Sequence, residues 1–308
     1  MEELADELRL ALARAWGDDV RIEGLRRLSG GATSETWSFD AVPADGPTQP
    51  LVLRRTRGQT VDEAALLRAA AAAGVPVPAV VASVEGGLVV ERIEGETIPR
   101  RILREDALAA TRTRLAAQCG IILGRLHRIP PDAVPGLEQP DPLPTWQAML
   151  DGLDQPHPAF ELALLWLREH QPRYSAPSIV HGDFRNGNLV VGPDGVRAVL
   201  DWELAHLGDP MEDLGWLCVK AWRFGVVDKR VGGFGDEADL FTAYERAGGG
   251  PVDPTVVRWW EVLGTLKWGI MCIVQAVTHL SGVTRSVELA AIGRRVCENE
   301  WDLLDLID

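Results

Sequence analysis

Leu4, Leu8, Leu12 and Trp16 recur every fourth residue and Gly17-Asp18-Asp19 ends the run, so residues 2–16 should form an amphipathic helix. The period then shortens. Apolar and polar side chains alternate through 20–28 and again through 35–39, on either side of the glycine-containing stretch from Ser29 to Ser34, which predicts a hairpin. A Pro/Gly-rich loop at 40–50 leads to a third strand at 51–55. The Ala/Leu-rich stretch 61–73 reads as a helix with Glu63 near its start, broken by Gly74-Val75-Pro76-Val77-Pro78. Residues 80–84 and 88–91 are two more strands about the turn Glu85-Gly86-Gly87.

Past residue 93 helical spacing takes over. Leu108, Leu115, Cys119, Ile122, Leu123 and Leu126 predict one long helix over 106–127, with His127 as its cap. Residues 130–158 are Pro-rich, with a helix only at 145–153. Further helices are expected at 160–170, within 204–218, and at 239–247, 254–279 and 286–306. Strand-like runs within 179–191 and 198–203 interrupt them. The pattern predicts an α+β chain. An N-terminal lobe over 1–93 holds an antiparallel sheet with helix, Arg92 to Glu96 form a hinge, and a larger, mostly helical lobe covers 94–308.

Composition adds exclusions. The chain has 308 residues, 46% hydrophobic and 25% charged, an ordinary balance for a soluble globular protein. A net charge of −14 argues against nucleic acid as a partner, since that needs a basic surface. The four cysteines form neither C-x-x-C nor a zinc-spaced cluster, so reduced thiols and a cytoplasmic protein are expected. The acidic N-terminus lacks signal-peptide character, and no run approaches the roughly 20 apolar residues of a membrane span. The eleven tryptophans, mostly in the second half, read as packing for the helical lobe.

The chemistry concentrates in Ile179-Val180-His181-Gly182-Asp183 to Asn188 and in Asp201-Trp202-Glu203. Asp183 and Asn188 stand five residues apart, the D-x-x-x-x-N spacing of the protein-kinase catalytic loop, and Asp201 follows where that scheme has a second metal-binding acid. Asn188 and Asp201 are hard oxygen ligands suited to Mg²⁺, and Asp183 suits orientation of a hydroxyl. Upstream, the Gly30-Gly31 turn would let backbone N–H groups approach phosphate oxygens. Arg54 stands on the third strand where kinases carry a lysine, and Glu63 is its candidate partner. The backbone around Glu91 and Ile93 would meet an adenine edge by its order along the chain.

His181-Gly182-Asp183-Phe184-Arg185-Asn186-Gly187-Asn188, with Val199-Leu200-Asp201-Trp202-Glu203 and Gly208-Asp209-Pro210 before Asp213-Leu214, resembles the aminoglycoside phosphotransferase/choline kinase superfamily. Asp201-Trp202-Glu203-Leu204-Ala205 and the C-terminal Arg294-Arg295-Val296 are most similar to the branch that includes the kinase-like domain of acyl-CoA dehydrogenase fusion proteins. The resemblance implies a protein-kinase-like two-lobed fold and transfer of a phosphoryl group from ATP or GTP to a small-molecule hydroxyl. Asp183 is then the catalytic residue, and Asn188 and Asp201 hold Mg²⁺. His181, Arg185 and Glu203 support them. Gly30, Gly31, Thr33, Ser34, Arg54, Glu63, Glu91 and Ile93 hold the nucleotide. Arg54 departs from the family's lysine.

The acceptor stays open among a hydroxyacyl thioester, an amino alcohol, a sugar and an aminoglycoside. The branch favours the first. Two other classes compete. A nucleotide-binding pseudokinase is supported by Arg54, and a metal-dependent hydrolase built on His181, Asp183 and Asp201 would need further histidine ligands.

Overall fold

The computed structural model describes residues 1–28, 34–56, 62–173 and 176–308. The chain begins with α1 (Glu2–Trp16), β1 (Val20–Arg27), β2 (Ser34–Pro43), β3 (Gln49–Thr56), α2 (Glu63–Ala72), β4 (Val80–Val84) and β5 (Gly87–Glu91). The strands form one antiparallel sheet in the order β1-β2-β3-β5-β4. The two-residue period of β3 sorts its side chains. Leu51 and Leu53 are buried with Leu8 and Leu12 of α1, Phe39 and Val89. Val52 and Arg54, on the other face, line a cleft with Leu88 and Val90. The Asp62 side chain caps α2 by accepting from the Ala65 N–H, which starts the helix at the buried Glu63.

The second half contains α3 (Pro99–Arg104), α4 (Ala109–Arg112), α5 (Leu115–Leu126), α6 (Pro142–Asp151), α7 (Pro158–Glu169), β6 (Ser178–Val180), β7 (Leu189–Gly192), β8 (Gly195–Val199), β9 (His206–Gly208), α8 (Met211–Cys218), α9 (Glu237–Arg246), α10 (Pro254–Leu280), α11 (Val287–Gly293) and α12 (Val296–Ile307). β7 pairs with β8, and β6 with β9. The Leu189–Val199 pair brings the residues just before β7 and just after β8 to the same end of a hairpin. α5 crosses α9 closely: a Cβ on Gly120 would lie 2.3 Å from the Leu240 carbonyl oxygen.

Two expected helices are divided. The one over 106–127 breaks into a 3₁₀ turn, α4 and α5; at the break the Arg114 N–H bonds the Thr111 carbonyl three residues back, and the Thr111 hydroxyl bonds the Pro193 carbonyl. The one over 286–306 breaks between α11 and α12 at Gly293, which sits so near α10 that a Cβ would lie 2.5 Å from that of Ala276. α10 is 27 residues long, and by length and composition alone it would cross a membrane. Half of its most apolar window is buried against its neighbours, so this apolarity serves the core.

Candidate active site

The β7–β8 hairpin does the assembly. Asn188 precedes β7, Leu200 and Asp201 follow β8, and the Leu200 N–H bonds the Asn188 carbonyl at 2.8 Å. Asn188 donates from Nδ2 to both the Asp183 carbonyl, 3.0 Å, and Asp183 Oδ2, 2.6 Å. Its amide oxygen is thereby left for a cation. Asp201 adopts the left-handed conformation, φ 68° and ψ 64°, which a non-glycine residue holds only when its surroundings compel it.

Arg54 reaches across to this hairpin. One guanidinium nitrogen bonds Glu63 Oε1 and the other Asp201 Oδ1, both at 2.9 Å. The expected Arg54–Glu63 pair is present, and Glu63 both opens α2 and holds the arginine. The cleft is about 350 Å³ and is walled by Val52, Leu88, Val90 and Val199, with Asn188 and Asp201 on its far side. Glu91 and Ile93 lie on its rim. The Glu91 and Arg92 N–H groups are used by the Ala79 and Pro50 carbonyls, whereas Ile93 N–H has no partner among the described residues. Gly30, Gly31 and Thr33 lie outside the described residues; Ser34 opens β2.

Asp183 is held from several sides. Its Oδ1 accepts from Arg185 Nε, 3.0 Å, and from Trp216 Nε1, 2.8 Å. Arg185 lies over the Trp222 ring, so it is a structural partner of Asp183. His181 supports the loop. Its Nε2–H donates to the Leu200 carbonyl, and its Nδ1 accepts from the Asp183 N–H. Burial lowers its pKa against the pull of Asp213, Asp183 and Asp201, so a neutral imidazole keeps this tautomer.

Asp213 is fully buried and accepts from the His181 and Gly182 N–H groups and from His127. Burial alone would raise its pKa, but the hydrogen bond from His127, with the N–H group of His181, outweighs it and holds the carboxyl below its ordinary value. His127 is the C-cap residue of α5, as expected, and its side chain has a further role. The imidazole bridges Asp213 and the Tyr244 hydroxyl, since burial at the α5–α9 crossing leaves it those partners.

Glu203 lies away from the cleft, on a second cavity of about 520 Å³. That cavity carries Trp146, Trp260 and Met271 among acidic Asp141, Asp209 and Glu212, with Lys267 and His206. It reaches the Asp183 loop through Lys267, whose Nζ bonds the Gly182 carbonyl at 3.0 Å. The sequence pattern did not single out Lys267 or Trp216, because both sit in runs that read as helix core.

A model of the phosphotransferase enzyme family matches residues 24–260, more than half of the chain. The chain belongs to the phosphotransferase enzyme family. It is therefore an enzyme that transfers a phosphoryl group, and its fold is the kinase-like one. An aminoglycoside phosphotransferase-like protein of Ralstonia eutropha superposes with a TM-score of 0.73 at 23% identity, covering 92% of each chain. A choline/ethanolamine kinase family protein of Mesorhizobium loti gives 0.65 at 22%, over 98% of this chain and 94% of its own. Spectinomycin phosphotransferase, solved with ADP and spectinomycin, gives 0.68 at 15%, over 99% and 97%. By sequence, mouse acyl-CoA dehydrogenase family member 10 is 32% identical over 170 residues, which is 50% of this chain and 16% of that protein. Human family member 11 is 42% identical over 60 residues, 18% of this chain and 8% of its own. The chain thus matches less than a fifth of either relative's length.

For a phosphotransferase the donor set matters. No three or more His, Cys, Asp or Glu converge on a metal site among the described residues. Asn188 with Asp201 fits Mg²⁺, which binds through one or two protein ligands and completes its shell with substrate phosphates and water.

Proposed function

We propose that this phosphotransferase is a small-molecule kinase that moves the γ-phosphoryl group of ATP, or GTP, to a hydroxyl of a small acceptor. The observation that carries the reading is the linked set Arg54–Asp201 and Asn188–Asp183, which joins the sheet cleft to the catalytic loop by direct hydrogen bonds. The nucleotide lies in the cleft, with Ile93 N–H toward the base and Arg54 toward the phosphates. The two lobes, 1–93 and 94–308, meet at this hinge. Asn188 and Asp201 hold Mg²⁺, which offsets phosphate charge when bound. Asp183 Oδ1 already accepts two N–H groups and Oδ2 only one, from Asn188, so the acceptor hydroxyl meets the remaining lone pair of Oδ2, and Asp183 orients it and takes up its proton.

The 520 Å³ cavity is the acceptor site. The dehydrogenase relatives favour a hydroxyacyl thioester or another hydroxylated metabolite over an aminoglycoside. Release of nucleoside diphosphate across a panel of hydroxylated compounds tests the assignment. Asp183→Asn should lower turnover on the order of 100- to 10,000-fold and leave ADP binding intact. A variant as active as the parent would remove Asp183 from the chemistry. The second reading, a nucleotide-binding module without turnover, draws on Arg54 standing where a lysine is expected. Binding of nucleotide with no transfer to any hydroxyl of the panel would favour it.

A further inference from the structure

We propose that Trp216 and Lys267 are positioning residues for Asp183, Trp216 from the helical core and Lys267 from the wall of the acceptor cavity. The inference rests on the reading of Asp183 as the group that orients the acceptor hydroxyl. Arg185, Asn188 and His181 all belong to the same loop as Asp183, so they would move with it. Trp216 and Lys267 belong to α8 and α10, which are packed together in the helical core.

The indole N–H of Trp216 donates to Asp183 Oδ1 at 2.8 Å, and the residue is only 2% exposed. Its ring is set against Gly264 of α10, where a Cβ would come within 2.9 Å, so the glycine makes room for it. Lys267 fixes the other half of the residue. Its Nζ bonds the carbonyl of Gly182, the peptide just before Asp183, and lies 4.6 Å from the Trp216 ring centroid. A cation over an indole face is attracted to the ring, so the ammonium and the indole restrain each other. Backbone and carboxylate of Asp183 are thereby tied to two rigid helices.

Lys267 also lines the acceptor cavity, 5.7 Å from the ring centroid of Trp146 on the same wall. An acceptor filling that cavity packs against the ammonium that steadies Asp183. Orientation of the carboxylate and occupancy of the cavity are coupled through one side chain. Core packing alone would require the Trp216 ring and not its N–H.

The Trp216→Phe variant keeps most of the ring and loses the donor; Lys267→Met keeps most of the stem and loses the charge. With an acceptor found in the hydroxyl panel, each should lower kcat on the order of 10- to 100-fold, the cost of a misplaced reacting group, with the nucleotide KM within about twofold. In a ¹H–¹⁵N spectrum of the whole chain, the indole resonance lost in Trp216→Phe should exchange slowly with solvent. It should shift in both Asp183→Ala and Lys267→Met while the other indole signals hold. Parental kcat in Trp216→Phe, or an indole resonance indifferent to Asp183→Ala, overturns the proposal. A parent without turnover whose indole still responds to both substitutions removes the kinase reading and leaves the positioning pair standing.

Discussion

Arg54 uses its planar fork to grip two carboxylates at once, Glu63 and Asp201, each at 2.9 Å. A lysine's ammonium is a point charge and would have to sit between them. The arginine therefore preserves the link from α2 to the catalytic hairpin, and it is available to phosphate oxygens when Asp201 turns to a cation. Arg54→Ala should weaken ADP binding about 10- to 100-fold, the value of one or two charge-assisted hydrogen bonds, as read by calorimetric titration. Unchanged affinity would take Arg54 out of the nucleotide site. His206 offers a pH test at the same scale. Burial disfavours its charged form, but the hydrogen bond and charge of Glu212, 3.2 Å away, win and raise its pKa above the ordinary value. Protons are thus bound more tightly in the folded chain. The His206–Glu212 contribution is full below about pH 6.5 and is lost as pH rises through the raised value. His206→Gln should lower Tm more in acid than at pH 9, and an equal loss at both would contradict the pairing. The sequence made Asp183, Asn188, Asp201, Arg54 and Glu63 readable because their spacing is local or ordered along the chain. Lys267 and Trp216 were not readable: they reach Asp183 from 84 and 33 positions away, and nothing in an apolar helix marks one lysine or one indole as facing a loop.

At the level of elements, the loop's rigidity depends on how closely helices approach. α5 meets α9 through Gly120 and Gly124, whose missing Cβ atoms would lie 2.3 and 2.7 Å from backbone oxygens of α9 residues. The crossing carries His127 and Tyr244, and through them Asp213 and the His181 and Gly182 N–H groups. Gly120→Ala should cost about 1–3 kcal/mol through overpacking against backbone that cannot step aside, measured by urea unfolding. A stability within error of the parent would show that α9 shifts freely. Element type was legible wherever the period was long and regular: Leu4 to Trp16 gave α1, and Leu51 to Arg55 gave β3. The breaks were not. Apolar spacing continues across Thr111 and Gly293, and the contacts found at the two breaks are a hydroxyl bonded to Pro193 and a tight approach to Ala276. Both partners are distant in sequence.

In the proposed function an acidic chain, net −14, takes a polyanionic ligand. Among the described residues, Glu63, Asp201 and Asp183 lie close to where phosphates would lie, against two guanidinium groups that they already engage, Arg54 with the first two and Arg185 with the third, while Arg92 is engaged by Ser38 and Asp40. Like charges in a partly enclosed site repel strongly. A divalent cation between Asp201, Asn188 and the phosphates converts that repulsion into attraction, so nucleotide affinity should depend steeply on Mg²⁺. The cleft also spans both halves of the chain, so a ligand filling it should stabilise the fold by mass action, about 2.7 kcal/mol at one hundred times its Kd. ADP with Mg²⁺ should therefore raise Tm, and excess EDTA should abolish most of the rise. In Asn188→Ala the Mg²⁺-dependent part should disappear while the weak Mg²⁺-free binding through Arg54 remains, and in Arg54→Ala the reverse should hold. Equal thermal shifts with and without the metal would mean that Asn188 and Asp201 hold no cation in the nucleotide complex.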